Sequence, residues 1–142
     1  VTDAFSATYD NYSIILAGGT HSTGGELIGL QLGATATGYY WAVAAGLYSA
    51  ATGVFTKGSN VSSWQRAGIC QTTGMSVDID VQNPFNAAVT TMNQSYVSAE
   101  IAGAAGAGGG YLTGTTSYTA FTLTSSGGTM TGGTIYVYGY NK

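Results

Sequence analysis

Two aspartates, Asp78 and Asp80, have a spacing that invites chemistry. On an extended strand they share one face, roughly 6.5–7 Å apart. That separation suits the carboxylate pair of a glycosidase or one edge of a Ca²⁺ site. A glycosidase, however, sets its carboxylates across a cleft, and Ca²⁺ takes about six or more oxygens. The plainer reading is two carboxylates on the solvent face of a strand. Three copies meeting at an axis would be another way to gather them around an ion. His21 is the only histidine. A Ser-His-Asp arrangement needs it buried and oriented by a carboxylate. Its setting in the turn-rich stretch Gly18–Gly25 predicts exposure instead. Cys70 is the only cysteine, so no intrachain disulfide can form. It reads as a small buried hydrophobe. One His and one Cys fall short of the usual ligand set of a zinc site. No catalytic residue, metal centre or cofactor is expected.

The aromatic residues are more informative. The chain holds 11 Tyr, 2 Trp and 4 Phe. Tyr39, Tyr40 and Trp41 stand together, with Tyr48, Phe55 and Trp64 downstream. Flat rings of this kind can stack on sugars, and Tyr39, Tyr40, Trp41 and Trp64 are the candidate ligand-binding residues. The hairpin Gly38–Leu47 and the loop around Trp64 would carry a glycan. The same rings also fill β-sandwich cores and subunit interfaces, and that reading is preferred. The closing strand Gly133–Tyr140 (GTIYVYGY) alternates cleanly. Ile135, Val137 and Gly139 make a core face. Tyr136, Tyr138 and Tyr140 make a ladder too apolar to be left in water, and are the candidate subunit interface.

The elements that must position these residues are strands. Short apolar segments recur between Gly, Ser, Thr and Asn clusters. Strands are predicted at Ser13–Ala17, Glu26–Ala34, Gly38–Ala45, Val54–Thr56, Ser63–Ile69, Ser76–Gln82, Ser95–Ile101, Ala120–Thr124 and Thr134–Tyr140. Val77, Ile79 and Val81 face one way, with Asp78, Asp80 and Gln82 opposite, which is the pattern of a sheet buried on one side. Asn86–Asn93 is the only weak helix candidate, and its β-branched residues count against it. Gly103–Gly110 (GAAGAGGG) reads as a flexible loop. The pairs Gly18-Gly19, Gly24-Gly25, Gly127-Gly128 and Gly132-Gly133 read as tight turns. With no βαβ rhythm, the expectation is an all-β antiparallel sandwich spanning residues 1–142 as a single domain.

Composition sets the outer limits. Hydrophobic residues make up 44% of the 142, enough for a real core. Only 6% are charged, against roughly a quarter in typical soluble domains. A surface of Thr, Ser, Gly, Asn, Gln and Tyr repels its copies little, and is easier to explain if other subunits cover much of it. The cations are Lys57, Arg66 and Lys142, and the net charge is −3. Nucleic acid is therefore not expected as a partner, because phosphate binding needs clustered Lys and Arg. The apolar run Tyr39–Leu47 is too short to cross a bilayer as a helix, so membrane insertion is not expected. The sequons at Asn11, Asn60 and Asn93 arise easily in so polar a chain.

Four segments bear a family resemblance. Phe5–Leu16 (FSATYDNYSIIL) opens it; Leu27–Leu32 (LIGLQL) with Gly38–Trp41 (GYYW) follows. Val77–Val89 (VDIDVQNPFNAAV) and Ser125–Tyr140 (SSGGTMTGGTIYVYGY) complete it, in order along nearly the whole chain. Together they resemble tailed-bacteriophage virion proteins: the small β-sandwich domains of tail fibres, minor tail proteins and head fibres or decorations. The resemblance implies a jelly-roll-like sandwich, a homotrimer, and a place on the particle exterior among other virion proteins. It implies no catalytic residues. The function it suggests is a non-enzymatic fibre, knob or capsid decoration domain; a host-receptor or surface-glycan-binding module is the alternative.

Overall fold

The computed structural model describes residues 1–100 and 104–141. Twelve strands and no helix are found among them. They are β1 (Asn11–Gly18), β2 (Thr20–His21), β3 (Leu27–Leu32), β4 (Tyr39–Leu47), β5 (Gly53–Val61) and β6 (Trp64–Ile69). The second half holds β7 (Met75–Gln82), β8 (Thr90–Ser98), β9 (Ala104–Leu112), β10 (Phe121–Ser125), β11 (Met130–Thr131) and β12 (Thr134–Tyr140). All pairings are antiparallel. Seven strands form one sheet in the order β12-β1-β7-β8-β9-β4-β5; three form a second, β10-β3-β6; β11 and β2 form a short ribbon.

The antiparallel sandwich expected from the alternation is present. Tyr12, Ile14 and Leu16 of β1 and Val77, Ile79 and Val81 of β7 face inward. They share one apolar core with Ile28, Leu30 and Leu32 of β3, with Trp64, Ala67 and Ile69 of β6, and with Phe121 of β10. The three-stranded sheet thus covers the inner face of the seven-stranded one. The turn prediction holds for the glycine pairs: all four lie at junctions between consecutive strands, with Gly25 and Gly128 also at positive φ, 86° and 62°. Gly18-Gly19 and Gly132-Gly133 all have φ between 68° and 81°, the left-handed region that side chains disfavour. They turn the chain from β1 into β2 and from β11 into β12.

The glycine-rich stretch corrects the sequence reading. Apart from Gly103, which lies outside the described residues, Gly103–Gly110 is not a loop. It is most of β9, a central strand between β8 and β4. Side chains from neighbouring strands take the space its glycines leave. A Cβ on Gly106 would lie 2.7 Å from the Tyr96 ring, and one on Gly110 would lie 2.7 Å from Trp64 Nε1. Rings lying across a glycine backbone supply the missing packing, an aromatic rescue of the strand. Gly58 under Trp41 and Gly139 under Tyr9 repeat the device. The strand expected at Ser95–Ile101 starts earlier, at Thr90, so the weak helix candidate Asn86–Asn93 gives half its length to β8. Ile101 itself lies outside the described residues.

Candidate functional site

The functional candidate is the outer face of the seven-stranded sheet. Its side chains alternate with the core residues, so register decides which ones meet. Two ranks cross the whole sheet. One runs Tyr138, Ser13, Asp80, Asn93, Gly109, Ala42, Lys57. The next runs Tyr136, Ile15, Asp78, Ser95, Ala107, Ala44, Phe55. Each begins with a bulky tyrosine on edge strand β12. Each passes an aspartate and small residues, then ends on edge strand β5 at Lys57 or Phe55.

Large apolar groups on this face are left in solvent. Phe55 is 83% exposed, Val97 60%, Tyr138 55% and Tyr136 45%. The Tyr136 and Tyr138 rings run nearly parallel, 11° apart with centroids at 6.3 Å. Tyr140 belongs to the same side and is half-buried. Across the sheet, Tyr40 and Tyr111 stack at 4.9 Å and 3°. Between that pair and Phe55 lie two adjoining hollows of about 380 and 540 Å³, sharing Ala42 and Lys57 in their walls. The hollows exist because Ala42, Ala44, Ala107 and Gly109 are small.

Three of the four aromatics proposed as ligand-binding residues are corrected to core. Tyr39 and Trp64 are fully buried and Trp41 is 9% exposed. Strand alternation carries Tyr39 and Trp41 inward, while Tyr40 between them points outward. Tyr39 meets Trp64 edge to face at 5.1 Å and accepts a hydrogen bond from Leu32 N at 2.8 Å. Burial pushes its phenol up to about 12. Of the four, Tyr40 alone remains at the surface. Phe55, one of the downstream aromatics, and Tyr111, which the sequence reading did not single out, join it there. The signal for Tyr111 was its place directly after the glycine stretch, where side-chain alternation resumes.

Asp78 and Asp80 do lie on one outward strand face, as their spacing predicted. Ser13 donates to Asp78 Oδ1 at 3.2 Å. No cluster of three or more His, Cys, Asp or Glu able to hold a metal occurs among the described residues.

His21 corrects a second expectation. It is 3% exposed, not in an open turn, because the short β2/β11 ribbon folds it inward. Its Nε2 sits 2.9 Å from Ser125 Oγ. Its Nδ1 faces the Thr23 backbone, whose N–H lies 3.1 Å away. Ser125 donates to Gly127 O at 2.5 Å. A catalytic histidine is oriented by a carboxylate and takes the serine proton; here the orienting group is backbone and the hydroxyl serves a carbonyl. The contact staples β2 to the end of β10. Cys70 is buried beside Ser125, with Sγ to Oγ at 3.8 Å, and burial raises its thiol pKa.

No family model, curated protein or solved structure matches this chain.

Proposed function

We propose that this chain is a non-enzymatic structural module that assembles with copies of itself. On the sequence resemblance it is a trimeric fibre, knob or decoration domain, a jelly-roll-like sandwich on the exterior of a tailed-bacteriophage particle among other virion proteins. The observation that carries the assembly reading is Phe55, 83% exposed on a sheet face that also leaves Val97, Tyr136 and Tyr138 in solvent. So many large apolar groups on one face mark a surface meant to be covered. With 6% charged residues, the chain has few charges to keep copies apart. Light scattering on purified protein tests assembly, with a trimer expected. Electron microscopy of the native particle tests location; no density fitting this domain on a virion would sink the phage assignment.

A second reading, a surface-glycan-binding module, draws on the outward Tyr40 and Tyr111 stack beside Lys57. A glycan array distinguishes it. Binding that disappears in Tyr40→Ala and Tyr111→Ala would favour recognition over architecture.

A further inference from the structure

We infer that the outer face of the seven-stranded sheet is the surface on which copies of this chain pack, the β12 half of one copy against the β5 half of the next. This rests on the self-assembly reading and names its interface. Three observations converge. First, the halves are complementary in shape. The β12 side projects Tyr136 and Tyr138, while the β5 side is hollowed over Ala42, Ala44 and Ala107. Second, the two halves differ in charge: Asp78 and Asp80 stand on β7 in the first half and Lys57 on β5 in the second, so no like charges are brought together, although matched ranks set a tyrosine and not an aspartate over Lys57. Third, β5 and β12 are unpaired edges of nine and seven residues, and a long edge carrying apolar groups is normally covered.

Register then specifies who meets whom. A rotation axis running along the strands preserves height, so each rank of one copy meets the same rank of the next. Tyr136 therefore packs against Phe55 of the neighbour. Tyr138 lies over the neighbour's Lys57, a cation–π pairing. The ranks give this match for a closed ring of two or three copies alike, as heterologous or isologous contact. Seven strands about 4.8 Å apart are roughly 30 Å wide, and strands of this length run roughly 25 Å, about 750 Å² per copy. In a dimer one neighbour covers the whole face, close to the roughly 800 Å² per partner of a stable interface; in a trimer two neighbours share it, about half that per contact, and closure of the ring adds the contacts together.

Cross-linking and dissociation test this together. In one chain carrying Phe55→Cys and Tyr136→Cys, a short thiol-to-thiol linker should join copies into covalent oligomers. Thr122→Cys, on the far sheet, should give none. Phe55→Arg and Lys57→Glu should each weaken association by roughly tenfold or more, with the circular dichroism spectrum unchanged. Both substitutions are on solvent-facing side chains, so folding is spared. If the wild-type chain is oligomeric but Phe55→Arg leaves it so, or the engineered pair fails to cross-link, this interface is wrong and self-assembly stands. If the wild-type chain is monomeric at high concentration, both are wrong.

Discussion

At the residue scale, the glycines do two different jobs, and substitution separates them. Gly110 has Trp64 Nε1 at 2.7 Å from where a Cβ would sit, with the Tyr40 carbonyl oxygen closer still. Gly110→Ala should therefore destabilise by about 1–3 kcal/mol through overpacking. Gly46 has nothing within 4 Å of its would-be Cβ. Gly46→Ala should be neutral or stabilising by roughly 0.5 kcal/mol. Urea unfolding of both variants checks the contrast; equal effects would mean that the rings over β9 do not set its composition. Tyr39 offers a second test. Its folded value of about 12 lies above the ordinary 10.0, because burial disfavours the phenolate. A raised value means stability that is complete below pH 10 and lost as pH rises toward 12. Phenolate absorbance should show one tyrosine ionising last, together with alkaline unfolding.

At the element scale, two links deserve measurement. The loop before β7 is held by Glu100, whose Oε1 accepts from Thr72 N at 2.7 Å and Thr73 N at 3.2 Å, and from both hydroxyls. Those bonds, the Thr72 hydroxyl first, lower the carboxyl pKa below its ordinary 4.5. A lowered value gives stabilisation that is present above pH 4.5 and fades as pH falls through the folded value. Glu100→Gln should flatten the acid limb of the stability profile, seen by thermal melts across pH. On β8, Gln94 is 5% exposed and neither atom of its amide has a protein partner among the described residues. Gln94→Met keeps the volume and removes two polar atoms from the core. It should raise stability by about 1 kcal/mol in denaturant titration. Most strands were legible in the sequence because alternation marks a half-buried sheet, as at Val77, Ile79 and Val81. Strand β9 was not, because glycine has no side chain to alternate. Its glycines are packed by Tyr96 of the preceding strand and by Trp64 of β6, rings that no pattern within the glycine stretch itself announces. His21 was misplaced for a related reason: a two-strand ribbon formed by residues about 110 apart leaves no local pattern.

At the scale of the whole molecule, alternation also told inward from outward aromatics once the strand phase was known. The sequence alone grouped Tyr39, Tyr40 and Trp41 as one site; the pleat divides them between two faces. The outer face carries few charges, so the self-association proposed for it should depend on apolar contact. Under that proposal, light scattering across a salt series should show an oligomer that holds in about 1 M NaCl and tightens in sulfate. Dissociation at moderate NaCl would point instead to Lys57 and the aspartates as the main attraction.

The position of β1 has a consequence for how this chain comes to be folded. β1 lies between β7 and β12, so Ile14 is paired with Ile79 on one side and Val137 on the other. Its second partner arrives only after almost all the intervening chain has been synthesised. Contacts this distant in sequence make folding slow, on the order of milliseconds to seconds. During synthesis, β1 must wait with one edge bare, and a crowded ribosome population would hold many such edges at once.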